Sequence, residues 1–303
     1  MIYTVTLNPA IDYVIHVDKL KPNSIMRGDG EQIFFGGKGI NVSVILKELG
    51  TQSIAMGYVA GFTGMALEQG LANMGIKSDF IHLQNGFTRI NVKIRSEKET
   101  DINCNGPDIA EGEFNKLTDK LFKLESGDTL VMAGSIPKSM PNDVYERIMS
   151  GLADKNVRFV VDATGELLLN SLKYKPFLIK PNSDELSEIF GDKIKSMTDI
   201  EKYAEKLQEM GAVNVLVSLG HDGAFLIDEN KQRHFMKPYD GDVVNTVGSG
   251  DSMVAGFIAG YEKTGNYGYA LKLGTASGSA TAFCEGLSNI KIINELMENG
   301  RQA

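Results

Sequence analysis

The chain has 303 residues, 42% of them hydrophobic and 23% charged, with a formal net charge of −8 at pH 7. This composition supports a sizeable core, and the lack of low-complexity tracts and long like-charge runs excludes an intrinsically disordered chain. The acidic balance argues against nucleic acid as the main partner, since backbone-phosphate binding needs a basic surface, although a few local cations suffice to hold a small anion.

Met1 leads directly into Ile2-Tyr3-Thr4-Val5-Thr6-Leu7, which reads as a first strand and not as a signal peptide. No apolar stretch approaches the length of a membrane span, so the expectation is a cytoplasmic chain with no membrane partner. Ile11 to Ile33 and Thr88 to Asn103 alternate apolar and polar residues without helical period, and they read as antiparallel strands with one wet face. Between and after them the pattern is mixed. Short apolar runs at 128–133, 158–162, 177–180 and 214–218 suit strands buried on both faces of a parallel sheet. Helical patterns fall at Val42–Leu49, Glu113–Leu124, Asn142–Leu152, Asp184–Phe190 and Asp199–Met210. Ala224 to Met236 reads as a local hairpin turning at Asp228-Glu229-Asn230. This alternation predicts a doubly wound α/β architecture, arranged as one domain over 1–303 with a small antiparallel lid from segments 11–33 and 88–103. Cys104 and Cys284 show no metal-ligand spacing and read as reduced thiols, with a single disulfide between them left open.

In open parallel sheets, ligands bind beyond the carboxyl ends of the strands, so polar and glycine residues after apolar runs are where chemistry is sought. The strongest such place is Asn245-Thr246-Val247-Gly248-Ser249-Gly250-Asp251-Ser252, followed by an apolar helical run. Gly248 and Gly250 let backbone amides approach a ligand, and the helix start makes the spot an anion site. Asp251 there is placed to take a proton from a hydroxyl that attacks a phosphate; alternatively it simply caps the helix. Phe35-Gly36-Gly37-Lys38-Gly39-Ile40-Asn41 also opens a helix, and is either a polar-substrate loop or a tight turn; it is not a P-loop, because Gly39 follows Lys38. Lys180-Pro181-Asn182-Ser183-Asp184-Glu185 offers oxygen ligands of the kind Mg²⁺ takes, or a capping box between Asn182 and Glu185. Thr6 to Asp12 ends the first strand at a proline turn and delivers Asp12, either to sugar hydroxyls or to solvent. Ser218-Leu219-Gly220-His221-Asp222-Gly223 lets a nucleotide lie against backbone, or is an ordinary loop. Arg27, Lys38 and Arg89 are cations near the lid that matter only if they converge.

Taken together, these residues resemble the PfkB carbohydrate kinase family, whose members have the three-layer α/β/α ribokinase-like fold. The resemblance runs from Thr4 to about Gly286 and rests on Gly36-Gly37-Lys38-Gly39-Ile40-Asn41, on Val247-Gly248-Ser249-Gly250-Asp251 and on Asn182 to Glu185. Thr6-Leu7-Asn8-Pro9 with Asp12 is similar to the family's phosphosugar branch. The resemblance implies ATP and Mg²⁺ as cofactors. It makes Asp251 the base, with Gly248, Ser249 and Gly250 as the anion hole. It implies that Asp12, Gly37, Lys38 and Asn41 hold the sugar, and that Arg27 and Arg89, with Ser135, hold its phosphate. Lys180, Asn182, Ser218, Gly220 and Gly223 line the nucleotide side, and Glu185 with Asn182 serves the metal. Two departures stand out. Asn245 replaces an aspartate that belongs to a potassium site in the ribokinase branch, which leaves cation dependence open, and Ser249 replaces a commoner alanine.

The activity implied is phosphorylation of fructose 1-phosphate to the 1,6-bisphosphate, with tagatose 6-phosphate and fructose 6-phosphate as alternatives within the branch. A non-catalytic sugar-phosphate sensor is the reading from another class, but pure binding needs no base. A nicotinamide oxidoreductase lacks support, because no strand is followed by a full Gly-x-Gly-x-x-Gly. A homodimer through the lid is implied by the resemblance alone.

Overall fold

A computed structural model describes residues 1–299; residues 300–303, the end of the expected 1–303 unit, lie outside the described residues. The chain opens with β1 (Ile2–Thr6), β2 (Ala10–His16), β3 (Gly30–Gly36), α1 (Lys38–Glu48), β4 (Ser53–Ala60) and α2 (Gly61–Asn73). Short strands β5 (Lys77–Ser78) and β6 (Ile81–Leu83) precede β7 (Arg89–Arg95) and β8 (Thr100–Ile102). Alternation then takes over: α3 (Glu111–Leu121), β9 (Thr129–Ala133), α4 (Val144–Gly151), β10 (Arg158–Asp162), α5 (Gly165–Ser171), β11 (Leu178–Ile179), α6 (Ser183–Phe190), α7 (Met197–Glu209) and β12 (Asn214–Ser218). The chain closes with the hairpin β13 (Ala224–Ile227) and β14 (Arg233–Met236), then α8 (Ser249–Thr264), α9 (Tyr267–Ala282) and α10 (Ile290–Asn299).

The main sheet runs β14-β13-β12-β11-β10-β9-β1-β4-β5, with β6 beside β4. Every pair from β12 to β5 is parallel, and among the described residues the expected hairpin supplies this sheet's only antiparallel pairings. β9 is buried along its whole length, and β10 nearly so, because helices cover both faces of the sheet. One face packs Phe114, Tyr145, Leu168, Leu186 and Tyr203 from α3 to α7. The other packs Ile45 of α1 with Val254, Phe257, Leu271 and Ile293 of α8 to α10. The result is the three-layer ribokinase-like fold expected from the resemblance. Among the described residues no helix is long and apolar enough to cross a membrane, and both cysteines are free.

After β1 the chain builds outward to β4, β5 and β6, and then returns to the opposite side of β1 with β9. Strand order therefore reverses between β1 and β9, and a crevice opens at their carboxyl ends. The small sheet, β3-β2-β7-β8, stands over that crevice. Its outer pairings, β2 with β3 and β7 with β8, are antiparallel, whereas β2 and β7 in the middle run parallel. The alternation pattern does not foresee this, because the direction is set by the connection: the chain makes a long excursion through the main sheet between β2 and β7, and only tight hairpins force an antiparallel pair. Residues 17–29, inside the first expected lid segment, form a connection and not strand, exposed from Asp18 onward.

Glycines set how closely α8 meets α9. A Cβ on Gly256 would lie 2.5 Å from Ser277 Oγ, and one on Gly260 would lie 2.9 Å from Ala270 Cα. That close contact fixes the direction of α8, whose first turn opens into the crevice.

Candidate active site

The crevice between the lid and the main sheet is a cleft of about 1950 Å³. Its lining brings together Asp12, Gly37, Lys38, Asn41, Arg89, Ser135, Lys180, Asn182, Glu185, Ser218, Gly220, Gly223 and the run Gly248 to Asp251. Arg27 is the exception among the expected residues. It lies in the exposed 17–29 connection and is not among the residues lining the cleft.

Asp251 belongs to the first turn of α8 but does not cap it. Gly248 is the cap, in left-handed conformation (φ 81°), and no side chain closes the helix start. Ser249 N–H donates to the Thr246 carbonyl at 3.2 Å, and the amides of Gly250 and Asp251, which no side chain caps, are left to the cleft, the arrangement that binds anions. The carboxylate is only 5% exposed, and its Oδ2 accepts from Asn41 Nδ2 at 2.7 Å. Burial, and after it the negative charge of Asp162, pushes its pKa up to about 6, against Lys38, Asn41 and Lys180, which favour the ionised form. A carboxylate so placed exchanges a proton near neutral pH. The helix-cap alternative is thus set aside by the geometry.

The α1 loop comes close to β1 because its glycines allow it. Gly37 has φ 122°, and a Cβ there would lie 2.6 Å from Thr6 Cγ2. Ile40 N–H donates to Thr6 Oγ1 at 3.0 Å, tying the start of α1 to the end of β1. Lys38 consequently reaches across the cleft to Asp162 at 3.4 Å. Burial opposes its charge, yet Asp162, with Asp251 and Glu185 behind it, raises its pKa. Lys180, at the end of β11, meets the same carboxylate from the other side at 3.4 Å.

At the head of α6 the capping alternative is realised. Asn182 Oδ1 accepts from Glu185 N–H at 2.8 Å, and Glu185 Oε2 accepts from Asn182 N–H at 2.9 Å. The box commits Asn182 Oδ1 and one oxygen of Glu185, so a metal here would meet chiefly the second Glu185 oxygen. No group of three or more His, Cys, Asp or Glu among the described residues is arranged to hold a metal. A single carboxylate suits Mg²⁺, which keeps most of its waters and takes substrate phosphates as further ligands.

The lid's inner face carries Asp12, Arg89, Asn91 and Lys93. Asn91 Nδ2 donates to Asp12 Oδ1 at 2.7 Å, and Lys93 Nζ lies 4.0 Å from Asp12 Oδ2 and 3.3 Å from Asp101. Arg89 Nη1 donates to the Cys104 carbonyl at 3.2 Å, while its Nε is buried without a partner. Burial lowers its pKa, with Asp12 and Cys104 opposing. Asn8 Oδ1 and Ser249 Oγ are also buried and unpartnered. Buried polar atoms are nearly always satisfied in native structures, so these three stand out among the residues lining the cleft.

Sequence reasoning misses Asp162, Asn91 and Lys93. Asn91 and Lys93 follow Arg89 at the two-residue period of one strand face, a signal present in the sequence. Asp162 is a carboxylate that directly follows the apolar run Phe159-Val160-Val161, and the carboxyl-end rule points to it as well.

Residues 5–293 match the family described as pfkB family carbohydrate kinase. The chain is 43% identical to the 1-phosphofructokinase of Bacillus subtilis, over 98% of this chain and 97% of that protein. It is 36% identical to the D-tagatose-1-phosphate kinase of Bacillus licheniformis, over 97% of each. The structure of phosphofructokinase-2 from Escherichia coli in complex with fructose-6-phosphate superposes with a TM-score of 0.91 at 27% identity, covering 98% of each chain.

Proposed function

This chain belongs to the pfkB family of carbohydrate kinases, and from that premise we propose that it transfers the γ-phosphoryl of ATP to the 6-hydroxyl of fructose 1-phosphate, giving the 1,6-bisphosphate. One observation carries the reading: a buried carboxylate at an uncapped helix start, Asp251, shares a single cleft with three cations, Lys38, Lys180 and Arg89. The 43% identity to a 1-phosphofructokinase over nearly the whole chain supports the choice of substrate.

In this reading the chain works as one catalytic unit with segments 11–33 and 88–103 as its lid. Asp251 takes the proton of the attacking hydroxyl, and Asn41 orients the carboxylate through its 2.7 Å hydrogen bond. The amides of Gly248 and Gly250, joined by that of Ser249 when it leaves the Thr246 carbonyl, stabilise the charge on the phosphoryl group as it moves between oxygens. Asp12, Gly37, Lys38 and Asn41 hold the sugar, and Arg89 with Ser135 holds its existing phosphate. Lys180, Asn182, Ser218, Gly220 and Gly223 border the nucleotide. Glu185 would hold Mg²⁺, which when bound neutralises phosphate charge and templates the in-line geometry. A general base typically supplies only ~10²–10⁴ of the rate, so positioning and charge neutralisation carry the larger share.

Arg27 meets a phosphate in this scheme only if two lids pair. The outer lid face offers an apolar surface for that dimer, with Ile33 54% and Ile102 52% exposed. A second reading, D-tagatose 1-phosphate as acceptor, is favoured by the 36% identical relative of that name. The purified chain with ATP, Mg²⁺ and a panel of ketohexose phosphates tests the proposal. ADP release that depends on fructose 1-phosphate is expected, and release that is equal with and without any sugar phosphate refutes it.

A further inference from the structure

Among the described residues, Asp162 is the one buried carboxylate of the cleft with no part in that reaction scheme, and any role for it rests on the kinase reading. It is 1% exposed at the carboxyl end of β10. Two cations reach it from opposite sides, Lys38 from the head of α1 and Lys180 from the end of β11, each at 3.4 Å. Both lysines are guided by glycines. Lys38 runs along Gly134, where a Cβ would lie 3.5 Å from its own Cβ, and Lys180 Nζ lies over Gly250, 3.0 Å from where that Cβ would be. The second contact places the ammonium directly against the anion loop of α8. A negative charge in the floor of a site for phosphates repels its ligands, so its presence calls for a function that a neutral side chain cannot serve.

We propose that Asp162 is the positioning residue of the cleft, a charged strut that fixes Lys38 on the sugar side and Lys180 on the nucleotide side in register with Asp251. Two long lysine side chains free in a wide cleft would lose their conformational freedom at every substrate encounter, and the strut removes that freedom beforehand. The same charge acts on the base. The charged and polar groups facing Asp251 are Asp162 of β10, Lys38 and Asn41 of α1, and Lys180 of β11. Only Asp162 among them disfavours ionisation. Without it only burial would oppose the two lysines at Asp251, leaving a carboxylate that is ionised over a wider pH range but weaker as a base.

The test is the pH dependence of kcat for Asp162→Asn, with fructose 1-phosphate and Mg-ATP saturating. The acid limb is expected to move down by about one pH unit, and the plateau to fall by about tenfold or more. Asp162→Asn leaves the buried Lys180 and the half-buried Lys38 without this counter-ion, which endangers folding. The double variant Asp162→Asn/Lys180→Met leaves one fewer, and the limb is again expected to move down, because Asp162 acts on Asp251 more strongly than Lys180 does. A buried ion pair serving the fold alone would lower the melting temperature and leave the limb in place. An acid limb at its wild-type position in a folded variant of either kind overturns the proposal. Absence of sugar-dependent ADP release from the wild-type chain would instead remove the kinase reading, so the two failures are distinct.

Discussion

Replacing Arg89 with alanine removes a planar cation from the lid's inner face without disturbing a strand pairing. The guanidinium carries five donors. One, on Nη1, is used on the Cys104 carbonyl, and Nε is buried without a partner. What remains is a fork suited to two parallel bonds to a phosphate. Hydrogen bonds to a charged group are worth about 1.5–3 kcal/mol each, so the pair contributes about 3–6 kcal/mol. At about 1.4 kcal/mol per decade, Arg89→Ala should raise the KM for the phosphosugar by ~10²–10⁴. The KM for ATP should stay near its wild-type value, because the anion loop and Lys180 lie at the opposite side of the cleft. Loss of an unpartnered buried N–H costs the fold little, so the melting temperature serves as a control for intact structure. Arg89→Lys keeps the charge but loses the fork, and should recover only part of the loss. The assay is steady-state kinetics with each substrate varied in turn, repeated with unphosphorylated fructose, for which kcat/KM should hardly change. Equal rises in both KM values, or a phosphosugar KM within about threefold of wild type, would refute a phosphate site at Arg89.

Asp251→Asn should lower kcat by at least ~10² while ATP affinity, measured by titration calorimetry, stays unchanged. In the wild type, kcat should fall as pH drops through about 6, where Asp251 takes up a proton. Because that pKa is raised on folding, the native state binds the extra proton, and stability declines as pH rises from the ordinary carboxylate range through about 6. Asp251→Asn should therefore raise the melting temperature more at pH 8 than at pH 5, and an equal change at both would contradict the assignment. Gly37→Ala forces a side chain into φ 122° and against Thr6 Cγ2 at 2.6 Å. A loss of about 1–3 kcal/mol in denaturant unfolding is expected, together with weaker sugar binding. Glu185→Gln keeps an oxygen for the capping box but loses the charge, so the Mg²⁺ concentration for half-maximal rate should rise while thermal stability barely changes.

How much of the molecule is legible in the sequence depends on range. Gly248 to Asp251, Gly37 to Asn41 and Asn182 to Glu185 are local devices in which a glycine or cap residue and its helix lie within a few positions, so short spacing reveals them. The main sheet is legible because its strands are apolar on both faces. α9 escapes such reading: its faces meet α8, α10 and the sheet, with Leu271, Ala276, Ala280 and Thr281 all buried, and a helix buried all round shows no amphipathic period. Its start carries a readable cap, Asn266, whose side chain accepts from Tyr269 N–H. β4 and α2 likewise mix glycine into apolar runs, and Gly57 is required because its φ is 142° and its Cβ would lie 1.9 Å from the Thr6 carbonyl oxygen. Such a contact between distant segments leaves no periodic trace. Arg27 shows the opposite case, since proximity in sequence to the lid suggests a place in the site, whereas the connection leaves it exposed and outside the cleft lining of this chain.

The arrangement also explains how a chain of net charge −8 can hold two polyanions. A uniformly basic surface is one solution, but it attracts every phosphate polymer in its surroundings. In the proposed scheme the cations are few and come from separate layers: Arg89 from the lid, Lys38 from the face carrying α1, and Lys180 from the centre of the sheet. Each is half-buried or buried, so its field acts in a site that excludes most water and is screened less by salt than a surface charge. Burial alone would drive Lys38 towards neutrality. Asp162 prevents that, raising the pKa of Lys38 where desolvation would lower it. In turn the lysines hold the Asp162 carboxyl below the ordinary range, although it too is buried. The three charges stabilise one another in the folded chain, so in the proposed scheme the anion site is preformed when its ligands arrive.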